Sequence, residues 1–239
     1  MTFLAVVFIA GVLSGGTAAI AGFGIGSIMT PLFALRLGVP LAVAAVSIPH
    51  AVATAVRCWR LRDAISWPVV RTFGVLSAIG GLMGALLYSR IGSRTLEVTL
   101  GALLVATSVA ANLSWTRKWK PNGWVAMSLG FLSGLFGGVA GNQGGLRAAA
   151  LLTFSLRPVA FVATSTAVGL AIDAARMPVY VWRAGSDLLA LVTPIAMATL
   201  GVLAGTLLGE RLLFGMSPER FRRAVGLLVG ALGLWLILK

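Results

Sequence analysis

The sequence predicts an all-α polytopic membrane protein, and two observations carry that prediction. Apolar residues make up 59% of the 239 residues, charged residues make up only 10%, and the mean hydropathy is +0.99. Soluble domains carry about 25% charged residues, far more than this chain has. The apolar residues also form runs of about 20 residues, the length that a helix needs to cross the hydrocarbon core. The expected surroundings of the chain are therefore a lipid bilayer.

The net charge is +13, from 19 Lys and Arg against 6 Asp and Glu. In a soluble protein such an excess indicates nucleic-acid binding. Here the basic residues form short clusters between the apolar runs, which is typical of the topology signals of membrane proteins. Nucleic acid is therefore not an expected partner. The single cysteine, Cys58, excludes an internal disulfide.

Six apolar runs have the length of one membrane-spanning helix. They are Pro40–Trp59, Pro68–Ser89, Thr95–Trp115, Pro158–Trp182, Leu188–Gly209 and Phe221–Leu238. Two longer runs, Thr2–Leu37 and Gly123–Leu156, are interrupted by glycine clusters. Because dense glycine disfavours a continuous helix, each long run is expected to split into two half-helices. Tryptophans and Tyr180 near the ends of the runs are expected to form interfacial aromatic belts.

The two broken runs open two similar halves, residues 1–119 and 120–239, which together are expected to form one integrated transmembrane domain. Each half is predicted to be a transmembrane repeat with one glycine-broken element and three spans. The matches are Ser14-Gly15 with Ser133-Gly134, Pro40–Ser47 with Pro158–Ser165, and Gly80 and Gly84 with Gly201 and Gly205. Their common order along the chain indicates duplication.

The distribution of basic residues favours an inverted arrangement of the halves. If each broken run crosses the membrane, ten basic residues lie inside and eight outside. If each is a re-entrant hairpin, the count becomes twelve inside and six outside. Inverted repeats whose broken helices meet near the midplane are a transporter design.

One pattern of glycine, proline and small residues, present in both halves, resembles that of a known family. The glycine-rich segment Gly22–Gly26 leads into Thr30-Pro31-Leu32, and a small-residue helix then runs from Pro40 to Ser47. This pattern, repeated in the second half, resembles the TauE/SafE sulfite-exporter family over nearly the whole chain. The resemblance implies a multi-pass protein of the bacterial inner membrane that moves sulfite, sulfoacetate or related organosulfonates, usually outward.

The second half departs from the family pattern at three places. Asn142-Gln143 precede Gly144-Gly145, Arg147 occupies an ordinarily apolar place, and Ala150 stands where the first half has Pro31. These departures bear on the identity of the substrate more than on the fold.

Glycine-rich breaks can serve an anion site in two ways. They let backbone N–H groups approach a ligand, and they expose helix N-termini, whose partial positive charge attracts anions. Tight helix packing is the alternative role of glycine in membranes. Packing is expected for Gly15 and Gly134. The expected ligand contacts are Gly24, Gly26, Gly144 and Gly145.

Arg147 is the strongest candidate for a substrate contact, because it is a charged residue inside an apolar segment. Charged residues at membrane depth are costly and mark functional sites by default. A guanidinium also suits an oxyanion such as a sulfonate or a carboxylate. Asn142 and Gln143 are expected to add polar contacts. A permanent ion pair with an acid is the alternative, with Asp173 as the candidate partner.

The neighbouring spans offer further polar residues. Ser47 and Ser165, at matching positions of the two halves, are expected to line the site. Asp173 could form a local ion pair with Arg176 or take up a proton that is coupled to transport. His50, the single histidine, is expected to be a hydrogen-bonded core residue or a proton relay.

Two more expectations concern hydroxyl groups and metals. The hydroxyls of Thr164 and Thr166 are expected to bond back to their own helix. No metal is expected, because the sequence lacks a Cys, His and acid cluster with ligand spacing.

Together these features predict a secondary transporter that exports small anions by alternating access, and not an enzyme. The chain has no Walker A sequence and no strand–turn–helix context for a dinucleotide, so no ATP hydrolysis and no cofactor are expected. The alternatives are a channel-like pore with re-entrant helices and a membrane-embedded enzyme. A homo-oligomer stays open.

Overall fold

A computed structural model gives a helical fold, and no strand occurs among the residues that it describes. These are residues 3–21, 24–91, 93–112, 123–141, 144–151, 154 and 156–212, with 227, 230, 231, 233–235, 237 and 238 in the last predicted span. The helices are α1 (Phe3–Ala21), α2 (Ile25–Leu37), α3 (Val39–Arg60), α4 (Trp67–Val69), α5 (Val75–Leu87), α6 (Ser93–Asn112), α7 (Gly123–Ala140), α8 (Gly144–Leu151), α9 (Pro158–Ala190) and α10 (Val192–Leu212). A π-helical turn, Val70–Gly74, joins α4 to α5.

Five helical stretches in the described part of the chain are long and apolar enough to cross a membrane. They are Val39–Arg60, Trp67–Leu87, Gly123–Ala140, Val159–Ala190 and Val192–Gly209. The prediction of an all-α polytopic membrane protein is therefore confirmed. Helix α6 covers most of the predicted span Thr95–Trp115 but is not among the five, and most of Phe221–Leu238 lies outside the described residues.

The predicted end of the span Pro158–Trp182 lies two residues before a kink in α9, whereas the predicted start of the next span, Leu188, lies four residues before the start of α10. Helix α9 continues through the polar residues after Trp182 and ends at Ala190. A single residue, Ala184, leaves helical geometry (φ −127°, ψ 19°) and kinks the helix. The polar segment therefore belongs to α9, and the next helix begins at Val192.

Both glycine-broken runs split, but the two pieces of each run are unequal. Helices α1 and α7 have 19 and 18 residues, about 28 and 27 Å at 1.5 Å per residue. These lengths approach the hydrocarbon thickness of about 30 Å. Helices α2 and α8 have only 13 and 8 residues. The expectation of two half-helices in each run is therefore wrong for the first pieces, which are nearly full length.

The breaks occur where the backbone takes a conformation that favours glycine. Gly24 precedes α2 with φ 137°, and Gly141 follows α7 with φ 73°. A residue with a Cβ rarely adopts positive φ, so glycine at these two places lets the helix stop and the chain turn.

Glycines also bring pairs of helices into backbone contact. Helix α1 packs along α10, and α5 packs along α7. Gly15 lies against the backbone of Val202 and Thr206, and Gly134 lies against the backbone of Ser77. The packing role predicted for Gly15 and Gly134 is therefore confirmed.

The order of these contacts gives the relative directions of the helices. Along α1 and α10, Gly11 meets Gly201 and Gly16 meets Gly209; along α5 and α7, Gly80 meets Phe131 and Gly84 meets Leu135. Because the residue numbers rise together in each pair, both pairs are parallel. Helices α3 and α9 run antiparallel, because His50 contacts Asp173 whereas Arg57 contacts Thr166.

The two parallel helix pairs pack with the same register. This register differs from the alignment of Gly80 with Gly201 that the sequences of the two halves give. Gly80 meets the carbonyl of Phe131, and Gly205 meets that of Val12, which is the residue equivalent to Phe131 at the offset of the two broken runs. In packing, Gly80 therefore corresponds to Gly205 rather than to Gly201, a shift of one helical turn. The duplication of the two halves itself stays a prediction.

The aromatic residues at the helix ends divide into two groups. Trp59, Trp67, Trp124 and Trp182 are exposed, as an interfacial aromatic belt requires. Tyr180 is fully buried, and its hydroxyl donates to the carbonyl of Gly138 at 2.5 Å. Its predicted place in the belt is therefore wrong.

Replacing Gly134 with alanine is expected to destabilise the protein, because the added Cβ would overlap the backbone of Ser77. Overpacking of this kind costs about 1–3 kcal/mol. Gly123→Ala on the same helix is the matched control, since a Cβ there meets nothing within 4 Å. The apparent Tm in detergent should fall only for Gly134→Ala, and equal Tm values would contradict the packing assignment.

Candidate functional site

A cluster of charged side chains is buried where α3, α8 and α9 meet. Its members in the described part of the chain are His50, Arg57, Arg147, Asp173 and Arg176, each at most 7% exposed. His50 lies near the middle of α3, a candidate membrane span, which puts the cluster at membrane depth. Burying a charge costs several kcal/mol unless it is paired and hydrogen-bonded. The contacts within the cluster therefore decide what it can do.

The cluster forms because α3 and α9 each carry a polar face. On α3 this face holds Ser47, His50, Thr54 and Arg57; on α9 it holds Ser165, Gly169, Asp173 and Arg176. Spacings of three and four residues place side chains on one face of a helix. Since the two helices pack against each other, their polar faces meet in the interior.

Asp173 is the centre of the cluster. Its Oδ2 lies 2.5 Å from Nδ1 of His50, and its Oδ1 accepts a hydrogen bond from Nε of Arg176 at 3.0 Å. Nη2 of Arg176 lies 2.8 Å from the same oxygen. An ionised carboxylate only accepts, so Nδ1 of His50 is the donor and Nε2 carries the lone pair of the neutral ring. Both the hydrogen-bonded histidine and the local Asp173–Arg176 pair are thus present.

Arg176 and Tyr180 connect the cluster to the second glycine break. Nη1 of Arg176 donates to the carbonyl of Gly137, and the hydroxyl of Tyr180 donates to that of Gly138. Carbonyls in the last turn of a helix carry partial negative charge and need donors from outside. Arg176 therefore links the carboxylate of Asp173 to the end of α7.

Arg147 extends from α8 onto the same face of α9. Its Nε donates to Oγ of Ser165 at 3.1 Å. Its guanidinium lies over Gly169, where an added Cβ would come within 2.9 Å of Nη1. Ser165, Gly169 and Asp173 occupy successive turns, so Arg147 lies beside the His50–Asp173 pair. The oxygens of Asp173, the candidate ion-pair partner of Arg147, are engaged by His50 and Arg176.

Arg57 belongs to the cluster, although it is not among the site residues expected from the sequence. Its Nε donates to Oγ1 of Thr166 at 2.9 Å. Its position on the α3 face that carries His50 was the signal that could have found it. Because Arg57 and Arg176 are buried, they do not mark a membrane face. Without them, the re-entrant arrangement has eleven basic residues inside and five outside, so the excess of basic residues inside persists.

The hydroxyl groups of Thr164, Thr166 and Ser47 have different kinds of hydrogen-bond partner. Thr166 accepts from Arg57, and Thr164 accepts from the backbone N–H of Ser66 at 2.9 Å. Both hydroxyls therefore accept from other elements, and their expected bonds back to their own helix stay a prediction. Ser47 bonds back, to the carbonyl of Ala44 at 2.7 Å. Its hydroxyl is directed at its own helix.

The two glycine breaks lie against each other. A Cβ on Gly26 would overlap the carbonyl of Gly141, and one on Gly24 would meet the side chain of Thr17. Oγ1 of Thr30 is buried beside Gly141, and no hydrogen-bond partner for it occurs among the described residues. The sequence analysis names Thr30 as part of the family motif but not as a site residue, since a threonine inside an apolar helix carries no signal of its own.

The remaining predicted site residues lie around the start of α8. Gly144 is its first residue and is buried, and Gly145 is its second, two positions before Arg147. Asn142 and Gln143 lie outside the described residues. The structure thus brings together Arg147 with Ser165 and His50 with Asp173, and it places Gly26 in a separate contact with the second break.

A cavity of about 500 Å³ lies apart from the charged cluster, near the kink in α9. Its lining is apolar and includes Ile48, Val181, Leu188 and Ile195. Such a lining offers no donor to an anion. Within the described ranges, no group of three His, Cys, Asp or Glu side chains is arranged to hold a metal ion. The charged groups that the described site offers are three guanidinium groups, one carboxylate and one imidazole.

Asp173→Asn is expected to destabilise the protein strongly, because it leaves Arg176 buried without its carboxylate. Breaking a buried pair from one side costs about 3–5 kcal/mol. Asp187→Asn is the matched control, since Asp187 lies on the same helix and is exposed. Thermal unfolding in detergent should separate the two variants clearly, and an unchanged Tm for Asp173→Asn would contradict the central role of this carboxylate.

Comparison with known proteins identifies the family of the chain. A family model described as "Sulfite exporter TauE/SafE" matches residues 7–236 of the 239-residue chain. A search of curated proteins and a search of solved structures gave no match. The match spans both halves, and it agrees with the multi-pass helical fold. The chain belongs to the TauE/SafE sulfite exporter family, a family of membrane transporters.

Proposed function

We propose that the chain is a secondary transporter, not an enzyme, that exports sulfite, sulfoacetate or a related organosulfonate across the bacterial inner membrane. The family supports anion transport in general terms. The observation that carries the proposal is the buried Arg147, three residues after the first residue of α8 and beside the charged face of α9. A guanidinium can give two parallel N–H donors to one sulfonate group.

The proposed site has a side-chain part and a backbone part. Arg147 and Ser165 form the side-chain part, with Asn142 and Gln143 as further contacts. Backbone N–H groups at the start of α8 form the second part, because a helix N-terminus is suited to anions. The proposed backbone donors are Gly144 and Gly145, together with Gly24 and Gly26 at the first break.

The charge of the cluster supports an anionic substrate. Its three guanidinium groups and one carboxylate give these five side chains a net charge of +2 when His50 is neutral. An anion that enters this region meets a positive electrostatic potential in a medium of low dielectric constant, where Coulomb attraction is strong.

Helix directions support inverted repeats for residues 1–119 and 120–239. Helices α3 and α9 follow the broken run of each half and run antiparallel. If both broken runs crossed the membrane, α3 and α9 would be the second and sixth crossings and would point the same way. A re-entrant hairpin at the start of each half makes them point in opposite ways, and this arrangement suits alternating access.

The closed packing of the cluster favours a transporter over a channel-like pore. Direct contacts join α3, α8 and α9 at the level of His50, Arg147 and Asp173. An anion that passes this level requires helices to move apart, which alternating access provides. Transport that saturates with substrate concentration, and that accelerates with substrate on the opposite side, would distinguish the transporter from a pore.

Arg147→Gln is expected to lower the flux of labelled sulfonates in proteoliposomes by at least about tenfold, because it removes charge-assisted hydrogen bonds from a buried site. Arg62→Gln is the control, since Arg62 is exposed at the end of α3. Arg147→Lys should recover part of the flux. A folded Arg147→Gln variant that transports every sulfonate at the wild-type rate would overturn the site.

Ser165→Ala is expected to raise KM for the anion several-fold while leaving the fold intact, because Oγ of Ser165 positions Nε of Arg147. Ser14→Ala is the matched control, as the buried Oγ of Ser14 donates only to its own helix, at the carbonyl of Gly11. Concentration series in the same flux assay give both KM values. An equal KM for the two variants would argue against a positioning role for Ser165.

A further inference from the structure

We propose that the His50–Asp173 pair binds a proton and couples its movement to that of the anion. This inference rests on the proposed function and deepens it, since it names the coupling ion. The pair joins α3 of the first predicted repeat to α9 of the second, so it lies between the two parts that alternating access moves.

The geometry gives the proton a defined place. Nδ1 of His50 donates to Oδ2 of Asp173 across 2.5 Å, which leaves the lone pair of the neutral imidazole on Nε2. A proton taken from water on one side of the membrane forms an N–H bond at Nε2. The same bond breaks when the proton is released to water on the other side. Histidine suits this exchange because its ordinary pKa, about 6.5, lies in the physiological range.

The carboxylate of Asp173 is held so that it can stabilise the imidazolium. Arg176 occupies Oδ1, and its own Nη1 is fixed by the carbonyl of Gly137. Oδ2 therefore stays directed at His50 in both protonation states. When the ring gains a proton, the hydrogen bond becomes a buried ion pair at the same atoms.

The charged groups around His50 come from two helices. Asp173 and Arg176 face it from α9, and Arg147 faces it from α8. Helix α7 carries no titratable side chain. The charged residues of the other helices packed against α3 lie near helix ends: Arg36 on α2, Arg94 and Glu97 on α6, and Glu210 and Arg211 on α10.

This arrangement couples the two ligands electrostatically. An anion at Arg147 brings negative charge to the face of α9 that carries Asp173, and this charge favours the imidazolium of His50. By linkage, a proton on His50 favours the anion by the same factor. Anion and proton are therefore expected to move together.

The experiment measures anion and proton flux in the same proteoliposomes. Isethionate is the probe, because a sulfonate stays ionised and cannot itself carry a proton. Labelled isethionate reports the anion, an entrapped pH dye reports protons, and potassium with valinomycin clamps the membrane potential. The wild type should move protons with isethionate in a fixed ratio.

The test variant is His50→Gln, which retains an amide donor for Asp173 but does not titrate. The readout is the proton-to-anion ratio: isethionate flux in this variant should fall by the coupling factor, and the flux that remains should carry no protons beyond those that cross protein-free liposomes. Ser77→Ala is the control, because the buried hydroxyl of Ser77 donates only to the carbonyl of Phe73 on its own helix. This variant should keep the wild-type proton-to-anion ratio.

Three results would overturn the inference, and they are distinguishable. Wild-type isethionate flux with no proton flux removes proton coupling but leaves the proposed function standing. A wild-type ratio in His50→Gln removes His50 as the proton site. Absence of flux for every labelled sulfonate tested in the wild type removes the proposed function as well. Should His50→Gln fail to fold, the wild-type ratio still decides, because a ratio of zero contradicts the coupling.

Discussion

The contact between His50 and Asp173 is the interaction on which the arrangement of the site depends. It joins two helices that are 123 residues apart in sequence at this point, and it does so in the middle of α3. A buried carboxylate with a protein partner on each oxygen tolerates little displacement, because each lost contact leaves a charge uncompensated. The antiparallel packing of α3 and α9 is fixed in register by this pair. Arg147 contacts the face of α9 that carries Asp173, one to two helical turns away from that residue.

Glycine supplies the second constraint, through close contact between parallel helices. The pairs α1 with α10 and α5 with α7 approach until backbone meets backbone, which only small residues permit. Gly24, with positive φ, directly precedes α2, Gly141, also with positive φ, directly follows α7, and the two breaks meet at Gly26. The charged cluster lies where α3 and α9, each packed against one of these pairs, face each other.

The fold class could be predicted because apolar runs of membrane length leave few alternatives. Arg147, Asp173 and His50 could be named one by one, since a charge at membrane depth is conspicuous. The pairing of His50 with Asp173 could not be predicted, because periodicity within a helix says nothing about which faces meet. Arg57 was counted among the charges that mark the inner membrane face, because the positive-inside rule counts basic residues without regard to the helix face on which they lie.

The measurement that tests the central claim most directly is a structure of the protein with a bromine-bearing sulfonate, located by its anomalous signal. The account predicts the anion within hydrogen-bond distance of the Arg147 guanidinium, beside Ser165 and on the face of α9 that carries Asp173. An anion bound at another place in the membrane interior, out of contact with Arg147, would contradict the account.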